Sequence, residues 1–162
     1  MTPAILDFIR DAAQEFSIRP GNALEIGSLD INGSVRDVFP GVAWTGIDVQ
    51  PGPGVDRVMD GRGAVALWPH PSFDMLVCCE ALEHDPRPWE VWRLFPRLVR
   101  AGGWLIVSTP GFGFPYHGHP KDYHRFSEDT YREVIFAGWQ LLRLATVLDP
   151  VGSPCVVGIG RR

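Results

Sequence analysis

From residue 4 to residue 16, Ile5, Phe8, Ile9, Ala12, Ala13 and Phe16 recur at steps of three and four, with Asp7, Arg10, Asp11 and Gln14 on the opposite face. That period predicts an amphipathic helix over 4–16. The pattern then shortens. Apolar or β-branched runs at 23–26, 44–47, 55–59, 73–79 and 104–108 each end at Gly, Pro, Ser, Asp or Glu, which predicts five strands. Between the last two lies "DPRPWEVWRLFPRLVRAGG". Asp85 can cap a helix there, prolines suit its first turn, Gly102 and Gly103 would stop it, and Pro96 predicts a kink.

Strands alternating with crossovers imply a parallel α/β sheet with helices on both faces, whose ligands gather at the carboxyl ends of the strands. The last part, "GWQLLRLATVLDPVGSPCVVGIGRR", differs, because residues 149–154 are too short for a parallel crossover. An antiparallel C-terminal hairpin strand should complete an otherwise parallel, Rossmann-like sheet.

With 162 residues and no repeat or low-complexity tract, a single domain over 1–162 is expected. No apolar run approaches the roughly 18 residues a membrane span needs, and the mixed N-terminus does not read as a signal peptide, so a cytoplasmic location is expected. Cys78, Cys79 and Cys155 fit neither a disulfide framework nor metal-ligand spacing and read as buried free thiols. A net charge of -4 disfavours nucleic acid as a partner without excluding it. Arg93, Arg97 and Arg100 read as a solvated helix face.

Candidate chemistry starts at "ALEIGSLDINGSVRD", residues 23–37. A dinucleotide Gly-x-Gly-x-x-Gly fails here, since Leu29 and Asn32 occupy the later glycine positions. Gly27, Ser28, Asn32, Gly33 and Ser34 form a small-residue turn that lets a ligand approach the backbone, with a short helical candidate after it whose N-terminus attracts a carboxylate. Glu25 and Asp30 argue against a diphosphate and favour an ammonium group. Ammonium and carboxylate together mean an amino acid. About 20 residues after the turn, Asp48 ends the second strand, where an acid commonly accepts from ribose hydroxyls. Asp60 follows the third strand and could accept from an exocyclic amine such as that of adenine. Amino acid, ribose and adenine combine in S-adenosylmethionine.

With "LEIGS" and "NGSVR", "WTGIDVQPGPGVD", "FDMLVCCEALEH" and "LVRAGGWLIVSTP" in that order, the chain resembles the class I S-adenosylmethionine-dependent methyltransferases of the type 11 kind, in small bacterial and phage forms. The resemblance covers roughly residues 23–160. It implies that Glu25, Gly27 and Ser28 hold the methionine part, Asp48 the ribose, and Asp60 with Gly61 the adenine. Glu80 would line the cofactor after the fourth strand, and Asn32 with Gly33 would replace the family's later glycines. The antiparallel final strand fits that family too. Turn, capping and surface roles are the alternatives for these residues.

The loop over 111–126, "GFGFPYHGHPKDYHRF", should hang over the ligand edge. Methyl transfer is an in-line displacement that needs alignment and, for a hydroxyl acceptor, a base, so His117, His119 and His124 are the candidate catalytic residues. A structural turn built on Tyr123, His124 and Arg125 is the alternative. No metal site is assigned, because the histidines and Asp122 lie on one stretch without a second anchor. In the run Glu83, His84, Asp85, His84 reads either as a near-cap residue or as a substrate contact. The expected activity is methyl transfer to a small-molecule acceptor at oxygen or nitrogen. A nucleic-acid methyltransferase, which would lack the Asn/Asp-Pro-Pro-Tyr motif here, and a catalytically degenerate binding subunit remain as alternatives.

Overall fold

A computed structural model describes residues 1–118 and 121–162. Helix α1 (Pro3–Glu15) leads into β1 (Asn22–Ile26), β2 (Ala43–Asp48) and β3 (Arg57–Val58). Helix α2 (Ala64–Leu67) precedes β4 (Phe73–Cys79). Helices α3 (Trp89–Trp92) and α4 (Phe95–Leu98) then lead to β5 (Val99–Pro110), and α5 (Glu128–Thr130), continued by a wider turn at Tyr131–Ile135, to β6 (Gln140–Leu148) and β7 (Pro154–Arg161).

The strands form a seven-stranded sheet in the order β3-β2-β1-β4-β5-β7-β6. Strands β1 to β5 pair in parallel, whereas β7 runs antiparallel to both β5 and β6. This is the mostly parallel sheet with a reversed C-terminal strand that the pattern predicts. Asp149 builds the hairpin turn, its Oδ1 accepting from the N–H of Val151 at 3.0 Å and of Ser153 at 2.7 Å. From β1 the chain crosses to β2 and β3 on one side and to β4 and β5 on the other, so a crevice opens where β1 and β4 diverge.

Helices cover both faces. Helix α1 buries Ile5, Phe8, Ile9, Ala12 and Ala13 against Met75, Val77, Val157 and Ile159 of the sheet, and Val35 and Phe39 extend that layer. On the other face Ala64, Val91, Phe95, Leu98, Tyr131 and Phe136 close over Leu24, Leu76, Leu105 and Val107. All three cysteines are buried and free, and burial pushes the Cys79 and Cys155 thiols up to about 12, so neither is a ready nucleophile. Among the described residues no helix is long and apolar enough to cross a membrane.

Several boundaries differ from expectation. The third strand keeps only Arg57 and Val58 of 55–59, because it pairs on one side alone, with Ile47 and Asp48. The fifth begins at Val99 rather than Trp104, since Val99 already pairs with Phe73. Gly102 and Gly103 therefore lie inside a strand. The segment 85–103 makes two short helices instead of one kinked helix. Pro96 sits in the first turn of α4, where its missing N–H leaves no bond unmade, so it starts a helix. After the glycine turn, the helical candidate reduces to one 3₁₀ turn, Val35–Val38, capped by Ser34 Oγ accepting from Arg36 N at 3.2 Å.

Candidate functional site

At the carboxyl ends of β1, β2 and β4 lies a cleft of about 440 Å³. Its walls include Gly27, Asp48, Asp60, Gly61, Glu80 and His84, with Ile26, Val49, Met59, Leu82 and Val91 as apolar surface. The strands deliver these residues together because a parallel sheet brings consecutive carboxyl ends to one edge.

Gly27 turns the chain at φ 78°, and a Cβ there would sit 2.4 Å from Ala81 Cβ. Only glycine tolerates both the left-handed conformation and that approach. The turn is bonded internally: the N–H groups of Gly27 and Ser28 both donate to Ile47 O, at 2.9 and 3.2 Å, and that of Gly33 to Asp30 Oδ1 at 2.9 Å. Asn32 Oδ1 accepts from the N-terminal ammonium of Met1. Asn32, Gly33 and Ser28 do not line the cleft. Ser28 is buried, and its Oγ has no partner among the described residues.

Glu25 also lies behind the cleft wall. Its side chain is 7% exposed, and its Oε2 accepts from Arg36 Nε at 2.8 Å, so Arg36 occupies the carboxylate expected to meet a ligand's ammonium. Arg36 Nη2 donates to Gly54 O at 2.7 Å. Gly46 makes room for this corner, since a Cβ there would stand 2.0 Å from Gly54 O and 2.4 Å from Arg36 Nη2. Burial holds the Glu25 carboxyl above its ordinary range despite the opposing pull of Arg36.

Asp48 is a cleft carboxylate with capacity to spare. Its Oδ2 accepts from Leu29 N at 3.1 Å and its Oδ1 from Gln50 N at 2.9 Å. One bond per oxygen orients the group and leaves a lone pair on each for a ligand hydroxyl. Asp60 is more fully engaged: Oδ1 accepts from Arg62 N at 2.8 Å and Nη1 at 3.0 Å, and Oδ2 from Nη1 at 2.8 Å. Arg62 continues across the rim to Asp85 Oδ1 and Glu90 Oε2, each at 2.6 Å. The hydrogen bond that Arg62 donates to Asp85 leads in raising the Arg62 pKa further. This clamp joins the loop after β3 to the loop after β4. Gly61 fits beneath it, with a Cβ there meeting Ile26 Cγ2 at 3.0 Å.

The loop after β4 carries the other charged cluster. Glu80 adopts φ 52°, a left-handed conformation that costs a non-glycine residue about 1 kcal/mol. Its N–H donates to Ser108 O at 2.9 Å and its Oε1 accepts from Ser108 Oγ at 3.0 Å. Glu83 is wholly buried, and neither of its oxygens has a hydrogen-bond partner among the described residues. Burial pushes both carboxyls up to about 7, with the Glu83 charge adding to the rise at Glu80.

His84 and His117 flank Glu83. His84 Nε2 lies 3.6 Å and His117 Nε2 3.5 Å from Glu83 Oε1. The histidine loop is held in place by an isolated bridge between Gly111 and Phe126 and by Arg125, which donates to Phe114 O at 3.0 Å and Pro115 O at 2.7 Å and pairs with Asp122. Arg125 depresses the Asp122 carboxyl far below its usual range. His117 is thus brought to Glu83 and His84, whereas His124 packs beside Tyr123 and Phe126 and does not join them. His119 lies outside the described residues. Sequence reasoning missed Arg36, Arg62 and Glu83. Arg62 reaches partners 23 and 28 positions away, so no local spacing marks it. Glu83 had one available signal, an acid beside a histidine just after a buried strand.

No family model matches the chain. A ubiquinone biosynthesis O-methyltransferase of Albidiferax ferrireducens is 46% identical over 46 residues, 28% of this chain, and the match spans only 18% of that relative. Among solved structures, 1,6-didemethyltoxoflavin-N1-methyltransferase of Burkholderia thailandensis, crystallised with 1,6-didemethyltoxoflavin and S-adenosylhomocysteine, superposes with a TM-score of 0.77. It is 18% identical, and the match covers 98% of this chain and 78% of that one. The N-methyltransferase NodS of Bradyrhizobium japonicum, with S-adenosylhomocysteine, gives a TM-score of 0.66 at 15% identity, covering 96% and 84%. The chain has the fold of the class I S-adenosylmethionine-dependent methyltransferases.

Proposed function

We propose that the protein transfers a methyl group from S-adenosylmethionine to a small-molecule acceptor, at oxygen or nitrogen. The observation that carries this reading is the cleft at the β1, β2 and β4 ends, where Asp48 presents two pre-oriented oxygens with free lone pairs beside apolar walls. Two vicinal hydroxyls of a ribose match one carboxylate with one free site per oxygen. Val49, Met59 and Leu82 offer adenine an apolar slot near Asp60 and Gly61. A relative named as a ubiquinone biosynthesis O-methyltransferase and a structural neighbour named as a 1,6-didemethyltoxoflavin-N1-methyltransferase support the acceptor class.

S-adenosylmethionine supplies an electrophilic methyl carbon on a sulfonium. The chain's own residues hold the cofactor, exclude water and take the acceptor's proton. Glu80 and His84 are titratable groups that the loop after β4 adds to the cleft wall, and His117 stands behind them through Glu83. Of the three histidines expected to serve as base, His117 reaches Glu83 and His84, His124 does not, and His119 lies outside the described residues.

Calorimetric titration with S-adenosylmethionine and S-adenosylhomocysteine, with NADH as control, tests the reading. Binding of the adenosyl ligands alone, weakened by at least tenfold in Asp48→Ala, is expected. Absence of binding, or an Asp48→Ala variant that binds equally well, overturns it. A folded chain that binds cofactor but methylates no hydroxyl or amine acceptor would instead be a binding subunit.

A further inference from the structure

Glu83, His84 and His117 each offer one ligand atom, and the three atoms lie within 4.8 Å of one another. They come from two separate segments, the loop after β4 and the loop after β5, and converge because β4 and β5 are neighbours in parallel register. The histidine loop, read by itself, lacks a second anchor. The fold supplies one.

His84 is held from behind by a hydrogen bond, whereas His117 has a carboxylate behind it that makes no hydrogen bond to its ring. His84 Nδ1 stands 2.5 Å from Lys121 O, a carbonyl that can only accept, so Nδ1 carries the proton and Nε2 holds a lone pair toward Glu83. His117 Nδ1 lies 3.3 Å from Asp122 Oδ2, which in turn accepts from the His117 N–H at 2.9 Å and is itself fixed by Arg125. Its Nε2 is likewise the atom nearest Glu83. A carbonyl or carboxylate behind each ring is the arrangement that orients metal-ligating histidines.

Glu83 is the independent sign of a missing positive charge. Its carboxylate is wholly buried and receives no hydrogen bond among the described residues, while the nearest imidazole nitrogens, at 3.5 and 3.6 Å, are too far to donate well. A buried acid without a donor costs several kcal/mol unless it is paired or ligates a cation.

We propose that Glu83, His84 and His117 form a binding site for a first-row divalent cation such as zinc or manganese. Two imidazoles and one carboxylate suit such ions better than magnesium or calcium, which prefer oxygen-rich sets. Three protein ligands leave at least one position for water or for an acceptor oxygen. Because His84 also lines the cleft, the site deepens the methyl-transfer reading by favouring an acceptor that presents an oxygen to the cation, and it rests on that reading only for this last step.

The test uses full-length protein carrying no polyhistidine tag, stripped with chelator and dialysed against zinc, manganese or magnesium, with metal content measured by mass spectrometry. One zinc or manganese per chain is expected, with affinity reduced at least about tenfold in His117→Ala and in Glu83→Gln. Cobalt(II) should give a visible absorption band in the wild type that His117→Ala shifts or abolishes. Circular dichroism of each variant guards against loss of fold, and His84→Ala provides a further ligand deletion on the loop after β4. Wild-type protein that retains no cation overturns the proposal, as do folded variants that retain it equally. Titration of the chelator-treated protein with S-adenosylmethionine separates the two readings, since Asp48 is not a ligand: cofactor binding without cation binding sinks the metal site alone.

Discussion

The two ends of the parallel strands are built on opposite terms. At the amino end, Asp74 accepts from the N–H of Gly21 at 2.9 Å and of Asn22 at 3.2 Å and pairs with Arg100 at 2.6 Å. Asn22 answers by donating to Ser72 O and accepting from Asp74 N, each at 2.9 Å. At the carboxyl end, Glu83, Ser28 Oγ and His117 Nδ1 have no hydrogen-bond partner among the described residues, and Glu80 sits in a left-handed conformation. Satisfied polar groups staple a fold, while buried unsatisfied ones cost stability and persist where a ligand completes them. The contrast is independent of any motif and agrees with the site proposed at the carboxyl end.

Removing Arg36 should break the carboxyl end most. Arg36→Ala leaves the Glu25 carboxylate buried without its pair, and a loss of about 3 kcal/mol in urea denaturation is expected. The sign with pH follows from burial. A carboxyl whose folded pKa is raised contributes stability below its ordinary pKa and loses it as pH rises through the folded one. The Arg36→Ala deficit should therefore be larger at pH 8 than at pH 5, and a deficit independent of pH would mean that Glu25 is not its source.

Opposite substitutions sharpen the comparison. Asp74→Asn should destabilise by about 1 kcal/mol at neutral pH, a figure kept small because the side chain is partly exposed. Burial acts to raise the Asp74 carboxyl, but Arg100 and the Asn22 and Gly21 amides outweigh it and hold it low. Its stability is thus present above the ordinary pKa and lost as pH falls, so wild type and variant should converge in acid. Glu83→Gln should instead raise the melting temperature of chelator-treated protein, by an amount equivalent to about 1 kcal/mol, because it removes an unpaired buried charge. A Glu83→Gln variant less stable than wild type would show that the carboxylate is structurally paired. The smallest effect belongs to Arg10→Ala. Its pair with Asp7 is exposed on α1, and a change within about 0.5 kcal/mol is expected.

Much of this architecture was legible in the chain. The three-and-four spacing from Ile5 to Phe16 gives α1 within a residue at either end, because an amphipathic period records which face is buried. The short linker at 149–154 gives the antiparallel hairpin, since a parallel crossover cannot be made in so few residues. Strand ends and helix breaks were less legible. Val99 is a strand residue because Phe73 pairs with it, and Pro96 begins a helix because the preceding one has already ended.

The site divides in the same way. Gly27, Asp48, Asp60, Gly61 and Glu80 line the cleft because they close or follow strands at their carboxyl ends, where small and acidic residues interrupt the apolar runs visibly in the sequence. Glu25, Ser28, Asn32 and Gly33 stand outside it: Arg36 occupies Glu25, the Met1 ammonium occupies Asn32, Gly33 bonds to nearby Asp30, and Ser28 is buried. The sequence by itself determined the order of elements and the reversed last strand, both of which follow from periodicity and linker length. Only the tertiary structure decided which charges remain unpaired at the carboxyl end: that Arg36 neutralises Glu25, that Arg62 clamps the rim, and that His117 meets Glu83. Pairing between side chains depends on distances across the sheet, which no local spacing encodes.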